Sequence, residues 1–103
     1  MSHVPRSDET LARQIALVTG AGRGLGRGAA VGLARRGATV IAAARTEAEL
    51  ERTAALVPDG NVVPTVVDLA DEAGVDALVD EVVASYGEID VLINNAAMLP
   101  FEP

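Results

Sequence analysis

The chain has 103 residues, half of them hydrophobic, a formal net charge of −7 and no cysteine. This length suits one small domain, and the lack of cysteine excludes disulfides, thiolate metal sites and a cysteine nucleophile. The one histidine, His3, lies in a polar leader, so we predict no metal site. No apolar run approaches the roughly 20 residues that cross a bilayer, and the leader does not resemble a signal peptide. We therefore expect a soluble cytoplasmic protein with no membrane partner, a flexible arm at residues 1–13 and one folded unit at residues 14–103.

The charges are unevenly distributed along the chain. All eight basic residues are arginines and none lies beyond Arg52, whereas ten acidic residues follow it. A nucleic-acid interface needs a basic patch or stripe, which this pattern does not supply. The acidic second half is typical of a solvated surface that aids solubility. We expect no nucleic-acid partner.

Four apolar runs of strand length alternate with three helical patterns. The predicted strands are residues 15–18, 39–44, 62–67 and 89–93. They are nearly continuous rather than alternating, as expected of parallel strands that are covered on both faces. The βαβαβαβ order predicts an α/β fold with a parallel sheet and right-handed crossovers.

The helical patterns carry start and stop signals. They span about residues 24–36, 46–56 and 71–86, and a glycine follows the first and the third. Thr46 with Glu49 three residues later predicts a capping box at the second helix. Tyr86 continues the apolar stripe of the third helix, so we predict that it is a buried packing residue.

A glycine-dense turn follows the first predicted strand and precedes the first helix. Seven of the ten glycines fall between Gly20 and Gly37. Glycines at this position let backbone amides approach a phosphate, and the helix N-terminus adds partial positive charge. The candidate phosphate-binding residues are Gly20, Gly22, Arg23, Gly24, Leu25 and Gly26.

Three motifs occur in order after the first, third and fourth predicted strands. They are Thr19-Gly20-x-x-x-Gly24-x-Gly26, Asp68-Leu69 and Asn94-Asn95-Ala96-Ala97. Their spacing and order resemble the short-chain dehydrogenase/reductase family over residues 14–103. The resemblance implies a partial Rossmann fold with strand order 3-2-1-4 and a nicotinamide dinucleotide as the cofactor. The alternative is an Ala/Gly-rich αβ domain with no ligand.

The resemblance also implies roles for individual residues. The loop glycines would approach the pyrophosphate, with Gly26 also permitting close helix–strand packing. Asp68 would accept a hydrogen bond from the adenine amino group, and the backbone of Leu69 would address the ring. Asn94 would brace the fourth strand near the nicotinamide ribose, and Ala96 belongs to the same cofactor-binding motif. The alternative roles, which involve no ligand, are an acidic residue near a helix N-terminus for Asp68 and an ordinary turn residue for Asn94. Ala97 departs from the glycine that is usual in the family.

The end of the second strand bears on the choice of cofactor. Folds that select NAD place a carboxylate there to bind the ribose 2′-hydroxyl. Here Ala44 occupies that position and Arg45 follows it, with Arg23 nearby in the glycine loop. A guanidinium attracts a 2′-phosphate, so NADP is preferred over NAD. The alternative is that both arginines are ordinary surface residues.

The family's reaction uses a Tyr-x-x-x-Lys pair, which these residues do not supply. The chain has no lysine, and Asp90 stands four residues after Tyr86. We therefore predict no catalytic residue. The expected function is that of the N-terminal NADP-binding portion of a short-chain oxidoreductase, inactive alone and truncated after the fourth strand. That strand would be a bare apolar edge, favouring self-association or a missing C-terminal half. A free-standing nucleotide-binding or regulatory module, and a structural half that needs a second chain, stay open as alternatives.

Overall fold

The structure is a computed structural model that describes residues 11–58 and 60–95. Strands and helices alternate along these residues, and the predicted βαβαβαβ order is confirmed. The elements are β1 (Ile15–Thr19), α1 (Gly24–Arg35), β2 (Thr39–Ala44), α2 (Glu47–Ala55), β3 (Asn61–Val66), α3 (Glu72–Tyr86) and β4 (Val91–Asn94). The largest difference from the predicted bounds is at β4, which begins at Val91 rather than at residue 89.

The four strands form one parallel sheet in the order β3-β2-β1-β4, which confirms the predicted order. In the register, Leu17 of β1 is aligned with Ile41 of β2 on one side and with Leu92 of β4 on the other. The chain moves outward from β1 to β3 and then crosses to β4 on the opposite side of β1. This reversal opens a crevice at the carboxyl ends of β1 and β4, where ligands bind in doubly wound sheets.

Alternate residues of the two central strands supply cores on opposite faces of the sheet. One face is alanine-rich and packs residues of β1 and β2 with residues of α1 and Leu50 of α2. The other packs Leu17 and Ile41 against Leu78 and Val82 of α3. Two helices therefore cover one face and one helix covers the other, and small side chains let α1 lie close to the sheet.

The prediction of continuous burial holds for the central strands and is wrong for the outer two. β1 and β2 are buried along nearly their whole length, whereas every residue of β3 and β4 is at least partly exposed in the described part of the chain. Both outer strands are edges of the described sheet, and Leu92 is 60% exposed. Pro64 in β3 suits an edge, because proline cannot donate a hydrogen bond to a neighbouring strand.

The helix ends agree with the predicted positions but not with every predicted contact. Thr46 is the N-cap residue of α2, yet its side chain makes no cap hydrogen bond, so the predicted capping box is wrong. The side chain of Glu49 lies over Gly22 of the glycine turn. By contrast, α3 has a side-chain N-cap, since Asp71 Oδ1 accepts a hydrogen bond from the Ala73 amide at 3.1 Å.

The predicted burial of Tyr86 is also wrong. Its side chain is 41% exposed in the described part of the chain, and Val83 is 43% exposed. The buried residues of α3 are Leu78 and Val82, which lie two turns and one turn before Tyr86 and pack against Leu17 and Ile41. The buried stripe therefore ends one turn before the helix does.

Residues 11–13 form a turn that is attached to α1. The Leu11 amide donates to the Arg36 carbonyl at 2.7 Å, and the Leu11 side chain packs against the alanine-rich core. Most of the predicted N-terminal arm, residues 1–10, lies outside the described residues. None of the helices in the described part of the chain has both the length and the apolar character needed to cross a membrane.

Candidate functional site

A cleft of about 700 Å³ opens at the carboxyl ends of the strands. Its lining residues follow β1, β2, β3 and β4 in turn. They are Gly20, Gly22, Arg23, Gly24, Leu25, Ala44, Arg45, Thr46, Glu49, Asp68, Leu69, Ala70 and Asn95. Eight of the eleven predicted cofactor-binding residues are in this set. Of the other three, Gly26 packs behind the loop, Asn94 lies on β4, and Ala96 lies outside the described residues, as does Ala97.

The glycine loop, defined here as residues 20–26, needs glycine for its backbone angles at two positions. Gly20 has φ +65° and Gly24 has φ +60°, a region that side chains with a Cβ rarely adopt. Between them, the Ala21 amide donates to the Ala43 carbonyl of β2 at 3.2 Å. The loop is therefore anchored to the sheet while it turns into α1.

Gly26 is required for a different reason, the approach of helix to loop. A Cβ at this position would lie 1.9 Å from the Gly20 carbonyl oxygen and 2.9 Å from Asn95 Nδ2. Both distances are below any real Cβ contact, so the first turn of α1 packs directly on the loop backbone. Gly26 is buried, and its part in the site is to permit this approach.

The N-terminus of α1 has an open set of amide donors. Its N-cap residue, Arg23, is extended, its side chain makes no cap hydrogen bond, and no acidic residue lies in the first turn. Gly24 and Leu25 of that first turn line the cleft. The first amides of a helix have no intrahelical partners and carry the positive end of its dipole. The cleft therefore offers a fitting site for an anionic group such as a phosphate.

Behind the loop lies a polar network that the sequence analysis missed. The guanidinium of Arg27 donates to Thr53 Oγ1 at 3.0 Å through Nε, and through Nη2 to the carbonyl of Gly22 and to that of Glu49 at 3.4 Å. Thr53 is fully buried, and its hydroxyl donates to the Ala21 carbonyl at 2.9 Å. One weak signal was available in the sequence, because Thr53 lies three residues after Leu50 on the buried face of α2.

The end of β2 brings charges of both signs into the cleft. Arg45 directly follows the strand. Both Arg45 and Arg23 of the glycine loop line the cleft, and both are exposed. Glu49, which was not predicted as a site residue, also lines the cleft. A Cβ on Gly22 would lie 3.0 Å from the Glu49 Cβ and 3.1 Å from its Oε1. A carboxylate therefore stands beside the loop in the same cleft as two arginines.

After β3, Asp68 forms a short turn with its own backbone. Its Oδ1 accepts a hydrogen bond from the Ala70 amide at 3.0 Å. Within residues 11–58 and 60–95, Oδ2 of this exposed carboxylate has no hydrogen-bond partner. Asp68 therefore presents an acceptor to the cleft with its orientation already fixed.

Two asparagines at the end of β4 connect that strand to β1 and to the glycine loop. Asn94 Oδ1 accepts from Thr19 Oγ1 at 2.9 Å, and these two residues are paired in the register. Asn95 Nδ2 donates to the Gly20 carbonyl at 3.4 Å, which ties the next residue to the glycine loop. Asn94 and Ala96 were the predicted residues of this motif; of its two described residues, Asn94 and Asn95, it is Asn95 that lines the cleft.

Comparison with known proteins agrees with this geometry. Residues 14–103 match the family model described as short chain dehydrogenase. The chain belongs to the short-chain dehydrogenase family. It is 46% identical over 98 residues to the L-xylulose reductase of Mesocricetus auratus, covering 93% of this chain and 37% of that protein. It is 34% identical over 85 residues to the meso-2,3-butanediol dehydrogenase of Serratia marcescens, covering 82% of this chain and 34% of that protein. The chain thus spans about a third of the length of these curated relatives.

Solved structures of the family share the fold. A short-chain dehydrogenase/reductase from Burkholderia xenovorans superposes with a TM-score of 0.80 at 42% identity, over 84% of this chain and 36% of that one. A metagenomic short-chain oxidoreductase in complex with NADP superposes with a TM-score of 0.76 at 33% identity, over 81% of this chain and 38% of that one. The family is one of oxidoreductases, and the described residues are its Rossmann-type cofactor-binding region.

Proposed function

We propose that this chain is the NADP(H)-binding portion of a short-chain oxidoreductase that interconverts a carbonyl and an alcohol. The observation that carries the proposal is the cleft, where the uncapped N-terminus of α1 faces the same space as Arg23 and Arg45. When bound, the nicotinamide supplies the hydride chemistry of such a reaction. The residues of this chain bind and orient the cofactor.

The pyrophosphate is assigned to the glycine loop and the first turn of α1. Gly20 and Gly24 shape the turn, and Gly26 lets the helix approach it. The amides at the helix start satisfy the phosphate oxygens without any cationic side chain, which is the usual means of binding phosphate at this place in the fold.

The remaining cofactor contacts follow the strand ends. Asp68 has one oxygen engaged by Ala70 and presents the other to an adenine amino group, with the Leu69 backbone beside the ring. Asn94 holds β4 to β1 through Thr19, and we assign the nicotinamide ribose to the region of Asn94 and Ala96.

We assign NADP rather than NAD because the end of β2 carries a cation. Arg45 directly follows Ala44, so no carboxylate of β2 itself is available for a ribose 2′-hydroxyl. One structural relative is in complex with NADP. Glu49 opposes a 2′-phosphate, so the preference requires Arg45 to be nearer than Glu49 to the ribose.

The assignment is tested by titrating NADPH and NADH into the 103-residue chain and its Arg45→Ala variant. Loss of a charge-assisted hydrogen bond of about 1.5–3 kcal/mol should weaken NADPH binding by roughly 10- to 100-fold. NADH binding should barely change. Arg35→Ala is the matched control. It removes the same charge, but from the last turn of α1, which does not line the cleft. Equal losses for the two cofactors would show that no 2′-phosphate is bound by Arg45.

Proton transfer is not assigned to these residues. The sequence contains no lysine and hence no Tyr-x-x-x-Lys motif, and Tyr86 lies at the end of α3 rather than in the cleft lining. We propose that the 103-residue chain binds the cofactor but does not reduce a carbonyl. Oxidation of NADPH by the chain alone, with a small ketone or diketone as acceptor, would contradict this.

We further propose that β4 is covered by additional polypeptide, either a second copy of this chain or the C-terminal half of an enzyme. β4 is an edge of the described sheet, and Leu92 on it is 60% exposed. An apolar edge strand favours pairing with another strand. Sedimentation velocity on the chain alone should show concentration-dependent association. We also propose that the protein is cytoplasmic, in keeping with its lack of cysteine.

A further inference from the structure

We propose that Arg27 and Thr53 are positioning residues that aim the amides of the glycine loop at the cofactor pyrophosphate. The inference rests on the proposed function and adds two residues to it. Neither residue lines the cleft, so any effect on the cofactor must act through the loop. Together they connect the loop, α1 and α2.

The first step concerns the direction of the loop carbonyls. The Ala21 carbonyl accepts a hydrogen bond from Thr53 Oγ1, and the Gly22 carbonyl accepts one from Arg27. Both donors lie behind the loop, on the side of α2. Two successive peptide oxygens are therefore held away from the cleft by side chains from two different helices.

The second step follows from peptide geometry. No peptide bond in the described chain is cis, and in a planar trans peptide the N–H points opposite to the C=O. Holding the Ala21 oxygen toward α2 turns the Gly22 amide to the other side. Holding the Gly22 oxygen does the same for the Arg23 amide. Gly22 and Arg23 line the cleft, so these two N–H groups face the space where an anion would be bound.

The third step explains why these side chain types are needed. A hydroxyl has one proton, and Thr53 Oγ1 also accepts from Arg27 Nε at 3.0 Å. Its proton therefore goes to one of two carbonyls, and that of Ala21 at 2.9 Å is nearer than that of Glu49 at 3.2 Å. The guanidinium of Arg27 donates to the two remaining carbonyls of the network, those of Gly22 and Glu49. The guanidinium holds its donors in one rigid plane, whereas the ammonium of lysine is a compact group on a flexible stem, so lysine does not reproduce this arrangement of acceptors.

The test compares two ligands that differ in the pyrophosphate. NADP contains it, whereas adenosine 2′-monophosphate retains the adenine, the ribose and the 2′-phosphate without it. Thr53→Val keeps the shape of the side chain and removes the hydroxyl, and Thr53→Ser keeps the hydroxyl. Affinities of the 103-residue chain and its variants are measured for both ligands by calorimetry or NMR titration.

Thr53→Val should weaken NADP binding roughly five- to ten-fold, as expected for one lost hydrogen bond, and adenosine 2′-monophosphate binding less than two-fold. Thr53→Ser should restore NADP binding. Arg27→Lys should show the same selective loss, and it carries the test if Thr53→Val does not fold. The double variant should lose less than the product of the two single effects, because both residues act through one network.

The outcomes separate the inference from the proposed function. If the unmodified chain binds neither ligand, the proposed function fails and the inference fails with it. If the unmodified chain binds both but Thr53→Val leaves NADP unchanged, or weakens both ligands equally, the proposed function stands and the positioning role is refuted. Equal weakening with a lower unfolding midpoint is the result expected of a merely structural link between α1 and α2.

Discussion

Replacing Gly26 with alanine tests the close approach on which the shape of the cleft depends. The added Cβ would lie 1.9 Å from the Gly20 carbonyl oxygen and 2.6 Å from its carbon, both backbone atoms. Real Cβ atoms essentially never come within 3.0 Å of another heavy atom, so loop and helix must separate by at least about 1 Å. Overpacking of this kind costs about 1–3 kcal/mol. We expect a lower urea midpoint for unfolding and at least a tenfold loss of NADPH affinity, because the first amides of α1 move with the helix.

Gly28→Ala is the matched control, two residues further along the same helix. A Cβ there meets nothing within 4 Å, and Gly28 does not have a positive φ. Alanine in a helix interior is favoured over glycine by about 1 kcal/mol at either position. The control should therefore raise the urea midpoint, and because the propensity gain is common to both variants, they should differ by the overpacking cost of about 1–3 kcal/mol. Equal stability and equal NADPH affinity for the two variants would refute the contact.

Three further substitutions have separable outcomes. Asp71→Ala removes the N-cap of α3 and should cost about 1 kcal/mol in urea unfolding without changing NADPH affinity. Glu49→Gln removes a carboxylate from the cleft and should tighten NADPH binding roughly two- to five-fold by titration and NADH binding less, since both carry the pyrophosphate but only NADPH carries a 2′-phosphate. Leu92→Glu places a charge on the exposed edge of the sheet and should abolish concentration dependence in sedimentation; persistent association would place the contact elsewhere.

The arrangement of the sheet was predictable because each strand and helix has its own local pattern. Four apolar runs separated by helical stretches allow few parallel topologies, and the family resemblance selected the order 3-2-1-4. Exposure of the outer strands was not predictable in the same way. The sequence of β4 shows that Leu92 is apolar, but its exposure depends on how many neighbours the strand has, which no local pattern records. The same holds for Tyr86, whose spacing continues the stripe of Leu78 and Val82 although its own side chain is exposed among the described residues.

The site was predictable to the extent that it lies at strand ends. The carboxyl ends of parallel strands meet at one edge of a sheet, so the glycine loop, Arg45 and Asp68 converge there although they are far apart in sequence. Arg27, Glu49 and Thr53 were missed because their positions depend on how α1 and α2 pack together. An arginine on one helix and a threonine on the next carry no motif, and only their shared contact with the loop distinguishes them.

The glycines of the loop meet two separate physical requirements, a positive φ and a close backbone contact. Gly20 and Gly24 are needed for positive φ, and a side chain at Gly24 would meet open space. Gly26 is needed for the backbone contact with the loop. The three atoms nearest to a Cβ on Gly22 would be the Cβ and Oε1 of Glu49 and the Cβ of Ala44, so a small side chain there requires Glu49 to move by a few tenths of an ångström. Tolerance should therefore increase from Gly26 through Gly22 to Gly28. This order follows from contacts in the structure rather than from the motif, which does not distinguish Gly22 from Gly28.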